Sequence, residues 1–392
     1  MKRIDLLYVD AASSHRAAAI GLKQAIETAF GQEPVEVRIL DLVDLLAHQP
    51  FLQRIVKTAI RLFNWQIRHN IAATSRLQMR FFRWLQRRIP QKMLRQAADF
   101  WRAEKPDLVI SVTPICNLTT SQILEFAAPQ TPYWVIPLDQ GEGMPKYWFD
   151  PKAKATYIVP SQRMEDQAHE AGIPHKQIKR ISGIPIHPHF YQPLVQDRAS
   201  EIRALGLNPD FATVLVHFGS QGSVMIKDAA ERLAALGPDL NVIFLCGRDE
   251  SLRQSISNLN LPYHTYITGF QDAPPARLYQ LADVIVGKAG SMTFTEALIT
   301  RTPIVAIKSK ALKPVQADNE DWIESKRIGR VVSMNDLSTA VVQVLGEEQY
   351  ENQISRQFHR GVFQVAAKVH RAYSQPDNLT PTPTPTPEPS IA

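Results

Sequence analysis

The chain has 392 residues, too many for one ordinary hydrophobic core, and points to two domains of usual size. Hydrophobic residues make up 44% and charged residues 21%, which excludes wholesale disorder; two cysteines, Cys116 and Cys246, exclude a disulfide scaffold or a four-cysteine zinc site. The net charge of +6 gathers in one place: Leu45 to Ala98 holds 11 Lys and Arg and no acid, and taking these from +6 leaves −5 on the rest, so one segment points to an anionic surface.

Residues 4–10 form a short apolar run that reads as a first strand, followed by a small polar turn and a helical pattern over 17–30. Residues 35–41 read as a second strand, so the chain opens β-α-β, the signature of a parallel sheet with helices on its faces. Buried-strand candidates follow at 107–112, 133–137 and 155–160. The pattern restarts at 212–218 and continues through 241–246, 263–268, 283–286 and 303–307. Between the two series, Ser182-Gly-Ile-Pro-Ile-His-Pro-His is rich in Pro and His and reads as a connector. A helix is expected over 349–372, then an extended Thr/Pro tail. The expected organisation is a first α/β domain over 1–182 with a basic segment at 51–95, a connector at 183–211, a second α/β domain at 212–346, a helical stretch at 347–375 and a disordered tail at 376–392. The fold class is α/β, two facing Rossmann-like domains with a cleft between them. The N-terminal apolar run is too short for a signal peptide and no window reaches 18 apolar residues, so a cytoplasmic protein without a transmembrane helix is expected.

Phe218-Gly219-Ser220-Gln221-Gly222-Ser223 lies between a strand and a helix, where glycines let backbone amides approach a phosphate. A tight turn without a ligand would give the same pattern. Lys288-Ala289-Gly290-Ser291-Met-Thr293-Phe-Thr-Glu296 also follows a buried strand and opens a helix. Ser291 and Thr293 are candidate caps that leave amides for a pyrophosphate, and Glu296, one turn in, could accept hydrogen bonds from vicinal hydroxyls. In Gln316-Ala-Asp318-Asn319, amides and a carboxylate could bind sugar hydroxyls. Ala11-Ala-Ser-Ser-His15-Arg16 is the first strand-to-helix turn, and a His beside a helix N-terminus is poised as a general base; a solvated His in a capping turn is the alternative.

These segments resemble glycosyltransferase family 28, which includes the galactolipid synthases, the processive diacylglycerol glucosyltransferases and the peptidoglycan enzyme that adds N-acetylglucosamine to a lipid-linked precursor. Gly219-Ser-Gln-Gly222 is similar to the glycine turn of the peptidoglycan enzyme. Cys246-Gly-Arg248, Gly269-Phe270, Lys288-Ala-Gly290, Thr293 and Glu296-Ala-Leu resemble the galactolipid-synthase series in order and spacing. His15-Arg16 is similar to the end of that branch's Gly-Gly-Gly-His-Arg turn, which here reads Ala12-Ser13-Ser14 before the His; Pro137-Leu-Asp139 replaces a Thr-Asp-Leu segment. The resemblance implies the two-domain GT-B fold and a donor site with Phe270 beside uracil, Gly290 to Thr293 on the diphosphate, Glu296 on ribose, and Gln316 with Asn319 on the sugar. It implies inverting transfer of a hexose from a UDP-sugar to a diacylglycerol-like lipid, with His15, or else Asp139, as base. A UDP-sugar is the donor substrate; neither a cofactor nor a metal is expected.

The basic segment has two helical stripes. Arg76, Arg80, Arg83 and Arg87 adjoin Leu77, Phe81, Trp84 and Leu85; Arg54, Lys57, Arg61 and Arg68 adjoin Leu52, Ile55, Ala59, Phe63 and Ile67. Such a face suits an anionic membrane interface, a solvated domain surface, or single-stranded nucleic acid. The resemblance to lipid-modifying enzymes favours peripheral membrane attachment over nucleic acid. A UDP-sugar epimerase and a non-catalytic nucleotide- or lipid-binding protein are the alternative readings.

Overall fold

A computed structural model describes residues 1–11, 13–46, 50–71, 77, 80, 83–84, 88–141, 147–309, 317–347, 349–355, 357 and 359–374. The tail at 376–392 lies outside them. Short runs of β-branched and apolar residues build two sheets in which every strand pair is parallel. In the first, β1 (Lys2–Tyr8) is flanked by β2 (Val35–Asp41), with Lys2 opposite Val35, and by β3 (Leu108–Ser111), with Ile4 opposite Leu108. With β4 (Tyr133–Val135), β5 (Thr156–Val159) and β6 (Ile178–Arg180), the order is β2-β1-β3-β4-β5-β6. The second sheet contains β7 (Ala212–His217), β8 (Leu240–Leu245), β9 (His264–Thr268), β10 (Val284–Lys288), β11 (Ile304–Ile307) and β12 (Gly329–Val332), in the order β12-β11-β10-β7-β8-β9. Each order reverses direction once, beside β1 and beside β7, which opens a crevice at the carboxyl ends of those strands. This is the expected α/β class of two Rossmann-like halves. The edge strands β6 and β12 were not among the sequence expectations.

The first half carries α1 (Ser14–Phe30), α2 (Pro50–Arg68), α3 (Gln91–Glu104), α4 (Asn117–Ala127) and α5 (Gln162–Glu170). Helix α1 buries Ala18, Ala19, Leu22 and Ile26, the i, i+4, i+8 face that its sequence periodicity presents. The fully buried Trp101 of α3 donates from its indole N–H to Asp5 on β1 at 2.9 Å. Asp5 also accepts two bonds from Arg38 on β2, each 2.8 Å, so its buried charge is fully compensated.

Helices α6 (Arg198–Ala204), α7 (Met225–Leu233), α8 (Glu250–Ser257), α9 (Ala276–Leu281), α10 (Ser291–Ile299), α11 (Ala317–Ser325) and α12 (Leu337–Leu345) follow. The single C-terminal helix expected over 349–372 is instead two, α13 (Gln349–Ser355) and α14 (Gly361–Ser374). Gly361, the first residue of α14, sits against the Gly183 carbonyl, where any Cβ would collide. Arg360 then donates its backbone N–H to Ser182 at 3.0 Å. Helix α14 returns to the first half, where His370 and Tyr373 meet Phe30 of α1 edge-on at 5.1 and 5.9 Å.

Candidate active site

A cleft of about 460 Å³ lies between the carboxyl ends of the two sheets and draws its walls from both halves. On the second half the glycine turns fix its shape. Gly219, Gly222 and Gly247 have φ of 97°, 76° and 62°, the left-handed region that only glycine enters freely. The turns after β7 and β8 also interlock: Arg248 donates its backbone N–H to Ser220 at 2.9 Å, and a side chain on Gly222 would strike the Cys246 carbonyl.

Lys288, the last residue of β10, reaches beneath Gly219; a Cβ there would lie 3.4 Å from the Lys288 ammonium. Burial pulls the Lys288 pKa down to about 8, and among the described residues no carboxylate pairs with it. Ala289 and Gly290 make the turn into α10. The expected side-chain caps do not form: the N-cap is Gly290, the Ser291 hydroxyl donates to Asp139, and that of Thr293 goes to Tyr279. The first amides of α10 are therefore left for a ligand, an arrangement that favours anions. Glu296, half-buried in the same wall, has its carboxyl pushed up to about 8 by burial, against a hydrogen bond to Tyr279 that lowers it. At the mouth, the Arg248 guanidinium stacks 3.5 Å above the ring of Phe270, which is 40% exposed.

On the first half, His15 lies in the first turn of α1 with Nδ1 3.2 Å from the Val9 carbonyl and its ring perpendicular to Trp148 at 6.4 Å. A carbonyl only accepts, so Nδ1 carries the proton and Nε2 keeps its lone pair. Burial lowers the His15 pKa to about 4, so the ring is neutral at pH 7. Ser13, in the left-handed region with φ of 62°, makes no cap; its hydroxyl accepts from Gln221 of the second half at 2.8 Å. Asp139 is buried and held by Ser291, whose oxygen in turn accepts from Asn319 at 3.0 Å. Asp139, Ser291 and Asn319 thus form one chain across the halves. Gln316 lies outside the described residues.

The basic segment divides. Ala59, Phe63 and Ile67 of α2 line the cleft instead of facing outward, which corrects the expectation of an outward apolar stripe. Arg68 is turned to the second half: its carbonyl accepts from Val224 at 3.2 Å and its guanidinium stands 3.8 Å from Asp249. What α2 shows to solvent is Leu62 and Trp65, 45% and 49% exposed, beside the exposed Arg54 and Arg61. Of the second stripe, Arg80, Leu77 and Trp84 are exposed and Arg83 stacks on Tyr147 at 5.7 Å; Arg76 and Arg87 lie outside the described residues. No helix among the described residues is long and apolar enough to cross a membrane.

Two residues of the second-half wall of the cleft were missed from sequence. His217 ends β7 and lines the cleft, and its Nδ1 lies 2.7 Å from the hydroxyl of the fully buried Tyr279. The only outward sign was a histidine directly before the Phe218-Gly219 turn. Among the described residues Glu165, His169 and His175 place metal-type ligand atoms within 4.8 Å of one another; none lines the cleft, and Glu165 pairs with Arg180 at 3.2 Å.

Two Rossmann-like halves facing across such a cleft define the GT-B fold. Solved structures with this fold include MurG of Acinetobacter baumannii, with a TM-score of 0.58 and 13% identity over 95% of this chain and 100% of that one. Another is HepE of Anabaena in complex with UDP and glucose, with a TM-score of 0.53 and 13% identity over 95% and 100%. Residues 213–368 match the glycosyltransferase family 28 C-terminal domain, and residues 15–186 match monogalactosyldiacylglycerol synthase. The chain is 25% identical to monogalactosyldiacylglycerol synthase 1 of Arabidopsis thaliana over 374 residues, 91% of this chain and 67% of the relative. It is 26% identical to the spinach (Spinacia oleracea) synthase over 374 residues, 91% and 68% of the two. The chain is an enzyme of the glycosyltransferase class, similar in its second half to the family 28 C-terminal domain and in both halves to the galactolipid synthases.

Proposed function

We propose that this enzyme moves a hexose from a UDP-sugar to the free hydroxyl of a diacylglycerol-type lipid at an anionic membrane surface, inverting the anomeric carbon. The observation that carries the donor assignment is Lys288, a half-buried ammonium without a carboxylate partner among the described residues, set between the Gly219 turn and the open N-terminus of α10. A diphosphate supplies the negative charge this pocket lacks. Glu296 and the Phe270–Arg248 pair then lie where ribose and base would extend. The opposite wall is apolar, with Ile20, Val43, Ile60, Phe63, Ile115 and Ile123, and suits acyl chains.

Transfer is a single displacement. The acceptor hydroxyl loses its proton to His15 Nε2 as its oxygen bonds the anomeric carbon. The bond from that carbon to the phosphate oxygen breaks, and its electron pair leaves with UDP, whose charge meets the α10 amides and Lys288. Asp139 is the weaker candidate for the base because Ser291 already occupies it. Matches to galactolipid synthase in both halves favour transfer over epimerisation or mere binding. The outward Leu62, Trp65, Arg54 and Arg61 of α2, with Leu77, Arg80 and Trp84, form the membrane-facing patch. The test is incubation with UDP-galactose or UDP-glucose and diacylglycerol in anionic vesicles, read by mass spectrometry. A glycolipid product of inverted configuration is expected; epimerised or hydrolysed sugar nucleotide without glycolipid refutes the reading.

A further inference from the structure

Four side chains from three elements meet in the donor wall: His217 at the end of β7, Tyr279 of α9, and Thr293 and Glu296 of α10. Tyr279 is wholly buried, and its hydroxyl is the hub. A phenol has one proton to donate and two lone pairs. Here it has three partners: the Thr293 hydroxyl, the Glu296 carboxyl and His217 Nδ1 at 2.7 Å. Thr293 donates to it, so two arrangements satisfy the remaining bonds. With Glu296 ionised, Tyr279 donates to the carboxylate and accepts from His217 Nδ1–H, and Nε2 is a bare acceptor. With Glu296 protonated, the carboxyl donates to the phenol, the phenol donates to Nδ1, and His217 carries its proton on Nε2. His217 lines the cleft beside Lys288, next to the turn that receives the diphosphate in the reading above.

We propose that His217 is a further donor-binding residue that hydrogen-bonds the diphosphate through Nε2–H, with Tyr279 as the positioning residue that links its tautomer to the protonation of Glu296. The ribose end and the diphosphate end of the donor site thereby share one hydrogen-bond chain. This rests on the UDP-donor reading. The titratable groups facing His217 are Lys288 on β10, Tyr279 on α9 and, through it, Glu296 on α10. Burial keeps His217 itself neutral, at about 4, so its contribution at pH 7 is a choice of tautomer and not of charge.

The experiment is calorimetric titration of the full chain with UDP and with uridine from pH 6 to 9.5, with melting temperature as a check on folding. His217→Ala should weaken UDP by about tenfold or more, the usual effect of losing a hydrogen bond to a charged group, and leave uridine unchanged. His217→Gln, whose amide N–H falls near the Nε2 position, should recover most of the UDP affinity. In the wild type, UDP affinity should fall steeply as pH rises through about 8, where both Glu296 and Lys288 lose protons. Tyr279→Phe cuts Glu296 from His217, so its fall should be shallower than that of the wild type. UDP affinity indifferent to His217→Ala, an equal loss for uridine and UDP, or an unchanged pH slope in folded Tyr279→Phe overturns the proposal. A wild type that binds no UDP overturns the donor reading itself.

Discussion

Replacing Lys288 by Met should stabilise the free protein at neutral pH while disabling the donor site. Burial holds the Lys288 pKa near 8 instead of the ordinary 10.5. In the unfolded chain the lysine keeps its ordinary value, so between about pH 8 and 10.5 the unfolded state binds more protons and stability rises with pH. Below about pH 8 the ammonium is charged in both states, and its desolvation in the folded state costs about 2.5 pKa units, or about 3 kcal/mol. Methionine fills much the same volume without a charge. Lys288→Met should therefore unfold at higher denaturant concentration at pH 7, by up to about 3 kcal/mol, and the advantage should vanish as pH approaches 10.5. In the same protein UDP affinity should drop about ten- to a hundredfold with the loss of a charged hydrogen bond. Urea titrations at pH 7 and 10 with calorimetry against UDP measure both. A variant less stable than wild type at pH 7, or one that binds UDP normally, refutes the argument that Lys288 is a strained cation waiting for an anion.

Glu296→Ala should weaken UDP by about ten- to a hundredfold in a folded protein, measured by calorimetry; unchanged affinity would remove the carboxyl from the ribose. His15→Ala should cut glycolipid formation by about 10²–10⁴ and leave UDP affinity intact, and the acid limb of wild-type kcat/KM should lie near pH 4, not 6.5, since His15 stays neutral down to about 4. A limb near 6.5 would show that His15 is not the base. Leu62→Ser with Trp65→Ser should reduce co-sedimentation with anionic vesicles while turnover of a short-chain soluble acceptor persists; equal binding by both proteins would leave that face merely solvated.

The strands of the two sheet centres were legible because buried parallel strands are continuous apolar runs. The edges were not: β6 is three residues long with Lys179 and Arg180 exposed, and β12 begins with Gly329 pressed on the Ile304 carbonyl. The glycine turns of the donor wall were legible for a local reason, since positive φ at Gly219, Gly222 and Gly247 demands that residue type. What a sequence pattern leaves out is pairing between distant residues. Ser13 and Gln221, 208 positions apart, each read as part of its own turn, and so did Asp139 and Ser291. Periodicity likewise identified the apolar face of α2 but not the surface it covers: Ala59, Phe63 and Ile67 proved to be cleft wall.

Helix α14 sets the timetable of folding. Val362, Val365, Ala366 and Val369 belong to the same buried cluster as Ile4, Ala18 and Phe30. The surface of α1 that they cover stays wet until residue 374 has been synthesised, although every strand of the first sheet is complete by residue 180. On the ribosome the second half can therefore close before the first, contrary to the usual order of synthesis. A lesion in α14 would therefore be felt in the half that holds His15, 300 or more positions away in the chain.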